Sequence, residues 1–291
     1  MSIRGMFGRY RSLLTCRVPR WSGPVARVAL SVTGFAAWAW SQGFLSGLLG
    51  FVEESIPRYS LASLPALLVL VPFWLPLPGL AGIAGARNGR AVTAAAAALM
   101  VPFAVLAGVQ GLEYGAPGLI WPLYALSLLL LAASEEVFCR GFAMDALAFG
   151  ERRNIGLVLS SLLFALLHAQ NPHASVPGLF NIFLTGAFFG LMRIVSGGLW
   201  YPVLFHWLWN LMTGMVFGWS VSGHESMPTL FTPTGVPPWG GFGPEESVLM
   251  TLGTAGGIAV LVFRMRSSDQ QQLPGVHRPA GGEPQEIDPR G

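Results

Sequence analysis

The feature that most constrains this chain is a series of long apolar runs that contain few charged residues. Each run is close to the roughly 20 residues that cross about 30 Å of hydrocarbon as an α-helix. The runs cover residues 25–52, 61–86, 91–111, 118–149, 154–170, 177–195, 198–218 and 246–264. Charged residues make up 11% of the chain, less than half of the roughly 25% found in soluble domains. The sequence therefore predicts an all-α polytopic transmembrane helix bundle of about eight spans.

The arginines predict how this bundle is oriented. All 17 basic residues are arginines, and basic residues collect in cytoplasmic loops. Threading eight spans from a cytoplasmic N-terminus leaves only Arg58 outside and puts Arg193, among others, on the cytoplasmic side. Both termini are then cytoplasmic. The first run is too long for a cleavable signal peptide and should stay as an anchor. We expect a multi-pass protein of a bacterial cytoplasmic membrane.

Composition divides the chain into three parts and excludes one class of partner. The parts are a basic cytoplasmic tail (1–24), a transmembrane domain (25–264, with a motif-bearing core at 118–218) and a disordered cytoplasmic tail (265–291). The lipid bilayer is the expected environment, and no basic, aromatic-interleaved stripe suggests nucleic-acid binding. The connection 219–245 is interpreted as an interfacial loop anchored by tryptophans, with a lid as the alternative. The sequence does not indicate an oligomeric state.

Three ionisable residues lie well inside the fourth apolar run: Glu135, Glu136 and Arg140. Each costs about 2.5–3.5 kcal/mol near the centre of a membrane helix. Glu136 and Arg140 are four residues apart, so they share a helix face and can form an ion pair. Glu135 points elsewhere and stays free for proton chemistry. The alternative interpretation is a buried ion-pair network that only holds helices together.

Two histidines and an asparagine lie in the fifth and seventh runs. His168 is close to the end of the fifth run, while His206 and Asn210 share one face of the seventh. Side chains of this kind must find polar partners inside the bundle. If the fourth, fifth and seventh runs pack together, these residues converge with the acidic pair. Such a set suits activation of water for hydrolysis, through a metal or through a carboxylate acting as general base.

Three motifs in this order resemble a known family. They are EExxxR from Glu135 to Arg140, FxxxH from Phe164 to His168 and HxxxN from His206 to Asn210, with Gly141 after the arginine. The set is similar to that of the CAAX-protease and bacteriocin-processing (CPBP, or Abi) family of membrane endopeptidases, which includes the type II CAAX prenyl endopeptidase. The resemblance covers about 118–218. Zincin and serine-hydrolase motifs, HExxH and GxSxG with its partners, do not fit.

The resemblance implies a role for each motif residue. Glu135 would activate the attacking water with help from His168, and Glu136 with Arg140 would be the supporting pair. His206 and Asn210 would hold the water or a metal, or donate hydrogen bonds to the tetrahedral oxyanion. A zinc ion held by Glu135, His168 and His206 is one expectation, and catalysis without metal by the same groups is the other.

The first functional hypothesis is therefore a membrane-embedded endopeptidase that cleaves membrane-associated or lipid-modified protein substrates. One alternative is a non-catalytic immunity factor or partner-binding scaffold of the same fold, and another is a proton-coupled transporter. Counting residues places Glu135 and His168 about 20 Å from the cytoplasmic end, with His206 nearer to it. We therefore expect tilted helices around a water-filled cavity, and the side of substrate entry stays open.

Overall fold

The computed structural model describes residues 88–148, 152–224 and 227–271 of the chain. This part is helical apart from two short paired strands, β1 (Leu112–Tyr114) and β2 (Phe231–Pro233). The helices are α1 (Gly89–Gln110), α2 (Trp121–Glu136), α3 (Met144–Ala146), α4 (Arg153–Leu167), α5 (Val176–Ser196), α6 (Trp200–Asn210) and α7 (Val248–Gln271). The all-α prediction is confirmed. The predicted tail 1–24 and the runs 25–52 and 61–86 lie outside the described residues.

Two helices change their winding next to predicted site residues. α2 continues directly as a π-helix, Val137–Ala143, which leads into α3, and α6 continues as a second π-helix, Leu211–Val216. The first π-helix follows Glu136 and the second follows Asn210. π-Helices are rare and often occur at functional sites. Short 3₁₀ turns follow α4 (His168–Gln170) and precede α7 (Pro244–Glu246).

Four helical stretches are long and apolar enough to cross a membrane. They are Gly89–Gln110, Trp121–Ala146, Val176–Ser196 and Val248–Ser267. α4 and α6 are shorter, with 15 and 11 residues. The count of eight spans and the cytoplasmic side of the termini stay predictions. α7 runs to Gln271, past the predicted end of the last span at 264.

The helices pack around α5, which contacts both α4 and α7, while α2 packs against α6 and α1 against α7. Small residues allow this close approach. A Cβ atom at Gly257 of α7 would press on the Phe188 ring of α5 and on the Ala95 carbonyl of α1. Glycine at this position therefore lets α7 pack against both neighbours.

The ends of α5 are set by local sequence. The Ser175 side chain accepts a hydrogen bond from the Gly178 amide at the start of the helix, where Pro177 lies in the first turn. At the other end Gly197 adopts a left-handed conformation, φ 80°, which residues with a Cβ rarely adopt. The chain turns there into α6, so His206 comes to lie beside α5.

The connection between α6 and α7 is folded against the bundle. We call its described residues, 217–224 and 227–247, the cap. β2 pairs with β1, and an isolated bridge joins Val221 to His224. Trp219 is 4% exposed, and its ring lies 4.9 Å from Trp239 and 6.4 Å from Phe103 of α1. The interpretation of this segment as a loop anchored in the interface by tryptophans is wrong for Trp219, because its ring packs among aromatic residues of the bundle.

Candidate active site

Glu136 is at the centre of the predicted site. This last residue of α2 is fully buried. Its Oε1 accepts hydrogen bonds from Arg140 Nη1 at 3.2 Å and from His206 Nδ1 at 3.0 Å. The ion pair predicted from the four-residue spacing is therefore present, and it also binds the histidine of α6.

Glu135 lies on the other side of the same imidazole. Its Oε2 is 3.9 Å from His206 Nε2 and has no hydrogen-bond partner within the described residues. Within the described residues Glu135 makes no ion pair with Arg140, but it approaches the histidine that Glu136 binds. Successive helix residues are only about 100° apart, so the His206 ring enters between the two carboxylates. Glu136 then meets one ring nitrogen and Glu135 faces the other.

The hydrogen bonds define how each imidazole presents its second nitrogen. When Nδ1–H of the neutral His206 ring donates to Glu136, Nε2 carries a lone pair on the side of Glu135. Nδ1–H of His168 donates to the Phe164 carbonyl at 2.8 Å. Both rings therefore have one nitrogen fixed by the protein and one available to a water or a substrate.

Phe164 and Phe189 surround this polar group with aromatic rings. The Phe164 ring lies 4.7 Å from the His168 ring and 5.8 Å from the His206 ring. The Arg140 guanidinium lies 4.1 Å from the Phe164 centroid, a cation–π contact. Phe189 stacks on His206 with 5.2 Å between centroids. The phenylalanine of FxxxH therefore holds both the arginine and the histidines in place.

A second, largely buried ion pair fastens α3 to α5, and the same arginine also binds the first π-helix. Arg193 binds both carboxylate oxygens of Asp145, at 3.0 and 2.7 Å, and also donates to the Arg140 carbonyl. The Arg193 side chain is fully buried in the bundle, and its predicted cytoplasmic side stays a prediction. The signal that could have revealed the pair is Asp145, an acidic residue inside the fourth apolar run.

Asn210 is buried one turn after His206, at a point where α6 also bonds to the cap. Its neighbour Trp209 donates from Nε1 to Oε1 of Glu245 at 3.0 Å. Glu245 is 1% exposed, and this burial raises the pKa of its carboxyl to about 7. Asn181 of α5 donates to the Glu245 carbonyl. Sequence reasoning missed Glu245 because nothing near it in sequence marks it as buried.

His224 is a further residue that sequence reasoning missed. It lies on the cap, half-buried, where its charge interacts with His168 and Glu135. Burial lowers its pKa and the nearby His168 lowers it further, while Glu135 acts in the opposite direction. Asn171, which follows the His168 turn, donates to the Ser222 carbonyl at 3.0 Å. This bond holds the cap against the end of α4.

The predicted zinc ligands do not form a ligand set in these positions. Within the described residues, no three His, Cys, Asp or Glu side chains are placed to share a metal ion. Glu135 and His206 are separated by 3.9 Å, and each histidine has its Nδ1 hydrogen bonded to the protein. A zinc site needs three or four ligands about 2.0–2.3 Å from the ion. A bound zinc ion therefore stays a prediction, which the metal content of the purified protein would test.

Comparison with known proteins bears on the segment that holds this site. Residues 117–212 match the family model described as "Type II CAAX prenyl endopeptidase Rce1-like". The matched segment runs from just before α2 into the second π-helix and contains all three motifs. No curated protein and no solved structure gives a significant match. The family match and the four long apolar helices identify an integral membrane protein. The match over residues 117–212 supports the CPBP family of CAAX proteases, which the three motifs predict.

Proposed function

We propose that this protein is a membrane-embedded endopeptidase that hydrolyses a peptide bond in membrane-associated or lipid-modified protein substrates. The observation that carries the proposal is the His206 imidazole between two carboxylates, with the fully buried Glu136 on Nδ1 and the slightly exposed Glu135 facing Nε2. A base oriented by a second group is a common arrangement in enzymes that activate a nucleophile. The family supplies the class of reaction.

The first step is activation of water by Glu135. A water within about 2.8 Å of both Glu135 Oε2 and His206 Nε2 forms two hydrogen bonds, since these atoms lie 3.9 Å apart. Glu135 takes one proton while the water oxygen attacks the peptide carbonyl. His206 orients the water, and Glu136 keeps the ring in the required tautomer.

The second step is collapse of the tetrahedral intermediate. Asn210 lies one helical turn beyond His206 and can donate its amide hydrogens to the oxyanion. Glu135 then returns its proton to the leaving nitrogen as the carbon–nitrogen bond breaks, which balances the hydrolysis. His168 Nε2 is free to accept a hydrogen bond from the leaving amine.

Arg140 supports these steps without touching the substrate. Its guanidinium pairs with the Glu136 carboxylate. Glu136 therefore adds no uncompensated negative charge next to Glu135 and the oxyanion that forms there. The position of the guanidinium over Phe164 keeps the charge away from water. Arg140 and Glu136 are therefore positioning residues in this proposal.

The test is peptide cleavage by the purified protein in detergent, with a fluorogenic library that includes a prenylated CAAX peptide. We expect Glu135→Gln and His206→Ala to lower kcat/KM by about 10²–10⁴-fold. Glu113→Gln is the matched control, because Glu113 is exposed on β1, and it should stay within about twofold of the parent. Size-exclusion profiles and thermal unfolding identify variants that have lost their fold.

Two results would change the proposal. Parent-like cleavage by Glu135→Gln would remove the assigned base. Absence of cleavage by the parent, together with a cellular phenotype that Glu135→Gln retains, would favour the non-catalytic scaffold. Metal content is measured on every sample, and one zinc per parent chain that is lost in His206→Ala would establish the metal-dependent route.

A further inference from the structure

Arg193 of α5 binds two groups of the segment that follows Glu136. Its Nη1 donates to the Arg140 carbonyl in the first π-helix and to Asp145 Oδ1 in α3, and its Nη2 donates to Asp145 Oδ2 at 2.7 Å. The Arg193 side chain is fully buried, and Asp145 is 17% exposed. A planar guanidinium suits several acceptors at once, whereas a lysine ammonium is a point charge. We call these hydrogen bonds the α5 clamp.

The two acceptor residues of the α5 clamp are separated by the repeat of a π-helix. Arg140 and Asp145 are five residues apart, and a π-turn pairs residue i with residue i+5. The end of the π-helix shows this pairing, since the Met144 amide donates to the Cys139 carbonyl. In an α-helix the carbonyl of residue i lies next to residue i+4, and the following residue is turned away by about 100°. Both acceptors therefore face Arg193 only while the segment keeps its π winding.

One face of α5 contacts both the backbone and the side chain of Arg140. Gly186, Phe189 and Arg193 are three and four residues apart, the spacing of a single helix face. A Cβ at Gly186 would lie 3.2 Å from Arg140 Nη2, and the Phe189 ring centroid lies 5.2 Å from the guanidinium. Arg193 binds the carbonyl of the same residue. α5 therefore fixes Arg140 at its backbone and at its guanidinium.

The helix that precedes Arg140 is held by a separate contact. Trp207 of α6 donates from Nε1 to the Ala125 carbonyl of α2 at 2.8 Å, and this bond joins the helix of Glu136 to the helix of His206. Arg140 lies beyond that bond, so a change of winding after Glu136 turns its guanidinium about the helix axis. The α5 clamp opposes this rotation.

We propose that Arg193 is a positioning residue of the active site, which acts with Asp145 to keep the first π-helix wound so that Arg140 pairs with Glu136. Neither residue of the α5 clamp touches the substrate. Loss of the clamp leaves the Glu136 carboxylate next to Glu135 without its compensating charge, and the oxyanion then forms beside an unpaired negative charge. This inference rests on the proposed endopeptidase function, and it adds a residue pair outside the three motifs on which the rate depends.

The test removes both charges of the α5 clamp, because either single change leaves the other charge without its partner. Replacing a buried ion pair by apolar side chains is often neutral for folding, so the melting temperature of Arg193→Met/Asp145→Leu should stay within about 5 °C of the parent. On the best peptide of the fluorogenic library, its kcat should fall at least about tenfold while KM stays within about threefold. Arg90→Met is the matched control, because Arg90 is exposed on α1, and its kcat should stay within about twofold.

A second readout requires no hydrolysis. Parent and variants are labelled with ¹⁵N-arginine and ¹³C-glutamate in lipid, and magic-angle-spinning NMR records the correlation between Arg140 Nη1 and the Glu136 carboxyl carbon, assigned with Arg140→Met. These groups are in contact in the parent, where Nη1 lies 3.2 Å from Oε1. We expect the correlation intensity to fall at least about twofold in the double variant and to persist in Arg90→Met.

A more conservative double variant serves if the apolar one does not fold. Arg193→Gln/Asp145→Asn keeps polar side chains, and the same changes are expected because the shorter Gln side chain does not span both acceptors. A folded double variant that keeps the parent kcat, or that keeps the full correlation between Arg140 and Glu136, would overturn the inference.

The two proposals can fail separately. Loss of the correlation in the double variant, without any cleavage by the parent, would leave the α5 clamp as the support of the ion pair and remove the endopeptidase. Cleavage by the parent, with an unchanged kcat in the folded double variant, would leave the endopeptidase and remove the positioning role.

Discussion

The buried pair Glu136–Arg140 allows a quantitative test of the site by a double-mutant cycle. Both side chains are fully buried and joined at 3.2 Å. Glu136→Gln keeps the size of the side chain but leaves the Arg140 charge without its carboxylate, and Arg140→Met leaves the carboxylate without its arginine. Breaking a buried pair on one side costs about 3–5 kcal/mol. We expect each single variant to lower the free energy of unfolding by about that amount.

The double variant Glu136→Gln/Arg140→Met should be more stable than the sum of its parts. It removes both charges and retains a hydrogen-bond acceptor for His206. Its expected cost is about 2 kcal/mol, from the lost contact with Phe164 and the weaker bond to His206. Unfolding is followed by circular dichroism during SDS titration of mixed micelles at pH 7. Single-variant costs that add in the double variant to within about 0.5 kcal/mol would refute the reasoning.

Three further perturbations test other parts of the structure. Burial raises the pKa of Glu245 from 4.5 to about 7, so its ionisation opposes folding and the parent loses stability as the pH rises from about 4.5 through 7. Glu245→Gln should therefore match the parent near pH 4 and exceed it by about 3 kcal/mol at pH 8 in thermal unfolding. A difference independent of pH would contradict this. Phe164→Leu removes the cation–π contact with Arg140 and should lower the free energy of unfolding by about 2 kcal/mol. Because the imidazoles lose their packing, kcat should fall by a factor at least about tenfold larger than any rise in KM. An unchanged kcat would show that Phe164 does not position the site. A Cβ at Gly186 would lie 3.2 Å from Arg140 Nη2, so Gly186→Ala should lower the free energy of unfolding by about 1–3 kcal/mol. The control Gly108→Ala, with open space around it, should be neutral or stabilising. Equal effects of the two variants would show that the close packing at Gly186 is unimportant.

The helices and the motif residues could be predicted because their signals are local. A run of apolar residues shows its own length, and two residues four apart share a helix face whatever surrounds them. The pair Glu136–Arg140 and the positions of His206 and Asn210 on one helix follow from spacing alone. The three motifs also predicted the family, which the match over residues 117–212 supports.

The parts that were missed depend on contacts between distant residues. Glu245 meets Trp209 across 36 positions, and Arg193 meets Asp145 across 48, so neither pair produces a periodic pattern. Convergence of the histidines with the acidic pair was predicted on the condition that the three runs pack together. Spacing could not show that the His206 ring meets Glu136 at one nitrogen and faces Glu135 at the other. His224 could be found only after the cap had folded onto the turn that follows α4.

The first π-helix gives the site a tolerance that an ordinary helix lacks. A π-turn closes i to i+5 hydrogen bonds and therefore holds about one residue more than an α-helical turn. Deleting one residue from a regular α-helix rotates everything beyond it by about 100°. Within residues 137–143, the same deletion can be absorbed by rewinding to α-helix, and Asp145 would still face Arg193. The helix that holds Glu135 and Glu136 thus continues into a segment with a spare residue, and we expect a single-residue deletion after Arg140 to be compatible with the architecture there.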